Sequence, residues 1–425
     1  MNMENRVYKG SWWLQPTPDD VLMGELTVEP NGKMHLELYG SFSFKNIGSL
    51  LECKTENVIF GRCYAPQSKV VDITLFDCSV SFRYNVGSKY PITKYSCLYA
   101  LVGIHTDSMV TPCFFEASVN YKELSYWCPP HLICKNISDR NILVSIDNSH
   151  ENDCLASVPL DNGLILKLVQ HYDYSATFTK TEISQKTIIK FDKNGMCVHD
   201  VLLNTIKFDW FMSLATLSPV EHKSITLFSE EKSQTFDNGE KFYHSIELIT
   251  CLYRYDESIE VKFTDFLFNY NDVSSDFELM YQKFYSDDSI AQIWSNFVDC
   301  LEKKPLFTSN DFLVVAQAID GFSIRFRKES GYLEQLNGLL EEFHNIRKVK
   351  LTKDDLIKAR GSRDYFTHIL KIEKKTKKNA IDGAELYYLT CKLRILLICC
   401  LMDYLGMDKN KINELMNKSD SRILK

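Results

Sequence analysis

The chain has 425 residues, 45% hydrophobic and 25% charged, with a formal net charge of −7. That length suits two or three domains, and the composition excludes a mainly disordered chain, a collagen-like repeat and a disulfide-stapled miniprotein. An acidic total offers no global attraction for nucleic acid or an anionic membrane, so any such partner must meet a local patch.

The opening MNMENRVYKGSWW has no basic region followed by an apolar stretch, so no secretory leader is expected. Fourteen cysteines are scattered along the chain, which points to a reducing, cytoplasmic setting. Up to about residue 270 the texture is that of strands. Alternating apolar residues recur in HLELYGSFSF (35–44), VVDITLFDCSVSF (70–82), FFEASVNY (114–121), KSITLF (223–228) and SIEVKFTDFLF (258–268). Turn chemistry separates them at PNGK (30–33), DNG (161–163), KNG (193–195) and DNG (237–239).

From about 276 the apolar period becomes helical. FELMYQKFYSDDSIAQIWSNFVDCL (277–301) spaces Leu279, Phe284, Ile290, Ile293, Trp294 and Phe297 as one inward face, and Pro305 ends it. Helical segments follow at 312–326, 332–346, 354–375 and 384–405. The last holds the longest apolar run, LRILLICCLMDYL (393–405). Arg394 and Asp403 interrupt it and it is too short for a bilayer, so it reads as a core helix and no membrane partner is expected. The expected fold class is α+β and multidomain, with a β-rich region over 1–275 and an all-α bundle over 276–425.

Phosphate-loop, GxGxxG, HExxH and GxSxG patterns are absent. CPPHLIC offers Cys128, His131 and Cys134 as a zinc cluster, but with no partner pair in sequence the simpler reading is small buried cysteines beside a Pro-Pro turn. No metal or other cofactor is expected.

Two features of the helical region carry chemistry. Residues 346–378 contain twelve basic and four acidic residues, a local charge of +8 inside an acidic chain, and phosphate is the natural partner of such a reversal. A solvated helix face is the plainer explanation of such a run. Within that stretch, RGSRDYFTHIL places Arg363 and His368 five residues apart. On an ideal helix five residues turn through about 500°, which leaves the two side chains roughly 140° apart. Either the helix is irregular at Gly361, with Ser362 as its N-cap, or two copies meet at a two-fold axis and pool their residues. Histidine can take a proton from a ribose 2′-hydroxyl near neutral pH, and arginine can hold the phosphate and the charge that develops on it. Asp364 stands beside Arg363 to orient it or the histidine, or else simply complements a helix N-terminus.

The motif Arg363-Asp364-x3-His368, in a small helical domain with an apolar last helix, resembles the Arg-polar-x3-His motif of HEPN ribonucleases, the Apea-like branch in particular. That branch carries an acidic residue on its first helix in an A-x-E-like context. Here AQAIDGF supplies Asp320, an aspartate in place of glutamate. Toward the N-terminus, GSWWLQPTPDDVLMGELTVEPNG (10–32), LELYGSF (36–42), IFGRCY (59–64), DITLFDC (72–78), LVGIHTD (101–107) and FFEASVNYKELSYWC (114–128) resemble the ApeA N-terminal domain. Its Leu-x-x-Trp element falls at Leu124 to Trp127.

The resemblance implies a bacterial anti-phage, abortive-infection endoribonuclease that cleaves RNA without metal. Its N-terminal domain would sense a phage-derived trigger or restrain the nuclease. Arg363, His368 and Asp364 would be catalytic and Asp320 supporting. RNA would lie along Arg360, Lys371, Lys374, Lys375, Lys377 and Lys378. A homodimer or higher oligomer through the helical domain is implied, with the apolar helix carrying Leu386, Leu389, Leu393, Leu396, Leu397 and Cys400 as its candidate face. The alternatives are a non-catalytic HEPN module that binds RNA, a nucleotide or a partner, and the HEPN half of a toxin–antitoxin pair.

Overall fold

The computed structural model describes residues 5–42, 55–65, 69–84, 92–131, 133–137, 142–146, 154–251, 260–302, 308–327, 331–368 and 379–424. Its first six strands are β1 (Arg6–Leu14), β2 (Thr17–Val28), β3 (Met34–Leu38), β4 (Thr55–Tyr64), β5 (Val70–Tyr84) and β6 (Ile92–Cys97). They run in the antiparallel order β5-β4-β1-β2-β3-β6, and β6 pairs back onto β5, which closes a six-stranded barrel. Alternation puts Tyr8, Trp12, Leu36, Ile59, Leu75 and Tyr95 inside it. Trp12 has room only because residue 61 is glycine: a Cβ there would lie 2.3 Å from the indole. At the PNGK turn Gly32 has φ +78°, a conformation other residues rarely adopt.

From β5 the sheet opens outward through β7 (Tyr99–Val102) to β8 (Phe114–Asn120) and its neighbours. Two strand pairs stand apart as β9 (Ile133–Ile137) with β10 (Ile142–Ile146) and β15 (Ser233–Thr235) with β16 (Lys241–Tyr243). The remaining strands are β11 (Cys154–Pro159), β12 (Ile165–Ala176), β13 (Thr181–Met196), β14 (Ser224–Phe228) and β17 (Ile246–Thr250). Beyond the barrel the order is β5-β7-β17-β14-β8-β13-β12-β11. KNG (193–195) is a register shift within β13, not a turn between strands.

Among the described residues two α-helices accompany these strands: α1 (Leu124–Trp127) and α2 (Val198–Thr216). The second has no counterpart among the expected elements. It is apolar on most of its surface, with Val201, Phe208, Phe211, Met212 and Leu214 all buried, so it lacks the one-sided period that marks a helix in sequence. Its legible signal is a capping box in which Cys197 and Asp200 bond each other's backbone N–H.

The C-terminal region comprises α3 (Tyr270–Val273), α4 (Phe277–Ser286), α5 (Ala291–Glu302), α6 (Ser309–Phe326), α7 (Tyr332–Phe343), α8 (Lys353–Thr367), α9 (Gly383–Tyr404) and α10 (Lys409–Lys418). Two expectations need correction. The segment 277–301 is two helices, broken where Asp287 leaves helical geometry and accepts the Ser289 N–H. As a result Leu279 is 72% exposed, and Phe277, Met280 and Tyr281 are buried with Phe284. The described part of 258–268 forms a short helical turn at Phe263–Asp265 in place of a strand.

One continuous core runs from the sheet into the helices. At its centre Phe211 of α2 meets Trp127 of α1 and Phe277 and Tyr281 of α4, with ring centroids 5.3–6.1 Å apart. The Leu-x-x-Trp element is thus the joint between the strand-rich and helical regions.

Candidate active site

Three helices bring the predicted site residues together. Helix α8 starts at Thr352, whose hydroxyl accepts the Asp355 N–H while the Asp355 carboxylate accepts the Thr352 N–H. It then runs without a break to Thr367. The irregular turn with Ser362 as N-cap is therefore not found. Gly361 and Ser362 lie in mid-helix and hold the returning chain. The Ser362 hydroxyl accepts the Ile381 N–H at 3.1 Å, and a Cβ on Gly361 would come within 2.8 Å of the Asn379 backbone.

Arg363, on the half-buried face of α8, donates from Nη2 to Oδ2 of Asp320 on α6 at 2.7 Å. Its Nη1 lies 3.6 Å from Asp364 Oδ1, and the other Asp364 oxygen is 3.8 Å from Nε of Arg360. Arg363 also lies over the ring of Tyr332, the first residue of α7, with Cζ 5.0 Å from the centroid. About a third of the Arg363 side chain, 32%, remains exposed. An arginine oriented by one carboxylate, backed by an arene and partly exposed suits the capture of a phosphate.

His368 caps the C-terminus of α8. Its N–H donates to the Asp364 carbonyl and its side chain is exposed. An ideal helix would set the two side chains roughly 140° apart, and His368 itself leaves helical geometry, with φ −103° and ψ 96°. The imidazole has no hydrogen-bond partner among the described residues.

The structure thus joins Arg363, Asp320, Asp364 and Arg360 and leaves His368 at the helix end. Tyr332 was missed by sequence reasoning because nothing in SGYLEQ marks its ring as lying under a residue 31 positions away. Lys371, Lys374, Lys375, Lys377 and Lys378 lie outside the described residues. Within the described part of the basic stretch, Lys358 is engaged by Asp354 and Glu385 at 2.8 and 2.7 Å. Those hydrogen bonds raise its pKa further.

The other candidates resolve as follows. Cys128 is buried in the core, where burial pushes its thiol up to about 12. The His131 N–H donates to the Gln170 side-chain oxygen, and the Cys134 side chain lies outside the described residues. Among the described residues no group of three His, Cys, Asp or Glu side chains is placed to hold a metal ion. None of the described helices is long and apolar enough to cross a membrane. The apolar positions on α9 proposed as a neighbour-facing surface, Leu386 through Cys400, are buried within the chain itself, so they offer no face to a second copy.

Two family models match the chain. Residues 7–284 match the family ApeA N-terminal domain 1, and residues 313–411 match the Apea-like HEPN family, a span that holds Asp320, Tyr332, Arg363 and His368. No curated protein and no solved structure matches the chain. With the first match covering well over half its length and the second its helical region, the chain belongs to the ApeA family and is an ApeA-type HEPN protein.

Proposed function

We propose that the protein is a metal-independent endoribonuclease of bacterial anti-phage defence, acting through Arg363 and His368. The observation that carries the reading is the Arg363 guanidinium, held by Asp320 at 2.7 Å on a side chain that stays about a third exposed, on the same short helical segment as an exposed histidine. In the reaction His368 takes the proton of a ribose 2′-hydroxyl. The 2′-oxygen attacks the adjacent phosphorus, and the 5′-oxygen leaves, taking a proton from water. Arg363 holds the phosphate and balances the charge that develops on it. The products are a 2′,3′-cyclic phosphate and a 5′-hydroxyl. Asp320 orients the guanidinium, Asp364 adds negative charge beside it, and Arg360 with the lysines at 371–378 guides the RNA backbone.

The angular divergence along α8 supports a site shared between two protomers, each supplying what the other's helix turns away. In such a homodimer, or a multiple of it, the strand-rich region 1–275 senses a phage-derived trigger or restrains the helical region 276–425.

The test is direct. Arg363→Ala and His368→Ala should each abolish RNA cleavage and protection from phage while the protein stays folded, and the double variant should be little worse. Cleavage should persist in EDTA. Mixing the two single variants under subunit exchange should recover part of the activity. Wild-type protection by either single variant, or products bearing 5′-phosphates, would sink the reading.

A further inference from the structure

Resting on that reading, the geometry points to Tyr332 as the positioning residue that sets the direction of the Arg363 guanidinium. An arginine side chain has four rotatable torsions, and one carboxylate contact fixes where one nitrogen sits without fixing the plane of the group. Asp320 supplies that one hydrogen bond, at 2.7 Å. Asp364, at 3.6 Å, is too far for a hydrogen bond and adds only charge. The plane is set by the surface under it, and that surface is the Tyr332 ring.

The ring cannot itself move aside. Tyr332 is 7% exposed and sits at the first position of α7, packed where α6, α7 and α8 converge. Its hydroxyl has no hydrogen-bond partner among the described residues, so nothing polar recommends tyrosine here for packing alone. The ring face does have a use: it holds a cation whose remaining donors must aim at a phosphate. A floor that is buried and rigid spares the arginine from ordering itself at each turnover.

Two substitutions separate the ring from the hydroxyl. Tyr332→Phe keeps the face, and Tyr332→Met keeps the length and apolar character without it. The first measurement does not depend on activity: the rate at which a dicarbonyl reagent such as phenylglyoxal modifies Arg363 in the full-length protein, read by peptide mass spectrometry. Tyr332→Met should raise that rate severalfold, as should Asp320→Asn, and Tyr332→Phe should leave it unchanged. The second measurement is single-turnover RNA cleavage. Tyr332→Met should slow the cleavage step by about ten- to a hundredfold with little change in RNA affinity, and Tyr332→Phe should behave as wild type.

A merely structural role predicts the opposite pattern, namely unaltered Arg363 reactivity in the folded fraction and an unchanged single-turnover cleavage rate per folded molecule. Either result overturns the assignment. If wild type and Arg363→Ala are equally inactive on RNA, the ribonuclease reading fails, and the modification rates still decide whether Tyr332 positions the arginine.

Discussion

Arg363 and Trp12 show how much a single residue can make legible. The arginine and histidine of the candidate site were visible in sequence because their chemistry is unusual in a basic helix. Their support was only half visible. Asp320 could be named through a family pattern, whereas Tyr332 touches Arg363 by tertiary packing that no local spacing records. Gly61 belongs to the same class. In sequence it reads as one glycine of FGRC, but in the fold it is the wall of the space that Trp12 fills. Gly61→Ala would press a methyl group to 2.3 Å from that indole, inside a closed barrel whose strands cannot spread. The expected cost is about 1–3 kcal/mol, typical of overpacking, read as a lower urea midpoint with unchanged slope. Trp12→Phe combined with Gly61→Ala should recover part of it, since the smaller ring vacates the position the new methyl group needs. A Gly61→Ala protein as stable as wild type would show that the barrel is not packed around Trp12.

Among the elements, α2 and α8 fail and succeed for opposite reasons. α8 is polar and capped, so its start was within a residue or two of the expected one, although it ends at Thr367 where the sequence pattern carried it to 375. α2 is buried nearly all round, which erases the amphipathic period and leaves only the Cys197–Asp200 box as a clue. α9 is likewise buried on most sides. Its Arg394 is nonetheless inside, donating to the Cys300 carbonyl at 3.3 Å in the last turn of α5, where the negative end of that helix faces the charge. The clip that holds the site helix is Asp355. It caps α8 and binds Lys392 of α9 at 2.9 Å. Burial alone would raise its pKa, but the hydrogen bonds from Lys392 and Thr352 outweigh burial and lower it. A carboxylate with a depressed folded pKa stabilises fully above its unfolded value, about 3.9, and loses that contribution as pH falls through the folded value. Asp355→Asn should therefore cost about 1–2 kcal/mol at neutral pH by loss of cap and ion pair. The gap from wild type should close as pH drops below about 4. A gap that stays constant down to pH 3 would mean that the charge on Asp355 contributes nothing.

Across the whole molecule, the change of texture near residue 270 is real in sequence, yet the packing does not stop there. Phe277, Tyr281 and Phe284 of α4 lie against Phe211 of α2, and Trp127 touches Phe211, Tyr270 and Phe277. Polar ties reinforce the aromatic ones. The Tyr285 hydroxyl donates to Asn204 at 2.8 Å, and Lys207 donates to the Tyr285 carbonyl at 2.9 Å. A cut at 275/276 would leave these rings facing water on both fragments, an exposed apolar patch of the kind that drives aggregation. The two regions, 1–275 and 276–425, should accordingly unfold together in the intact chain. Near-ultraviolet and far-ultraviolet signals should give coincident urea transitions, and Trp127→Ala should shift both by the same amount, about 3–5 kcal/mol. Expressed separately, each fragment should be insoluble or bind a hydrophobic dye, and co-expression should rescue both. Two separated transitions, with Trp127→Ala moving only the first, would show that the helical region holds the geometry around Arg363 without help from the strands. Restraint of the site by the N-terminal region would then have to act through something other than this shared core.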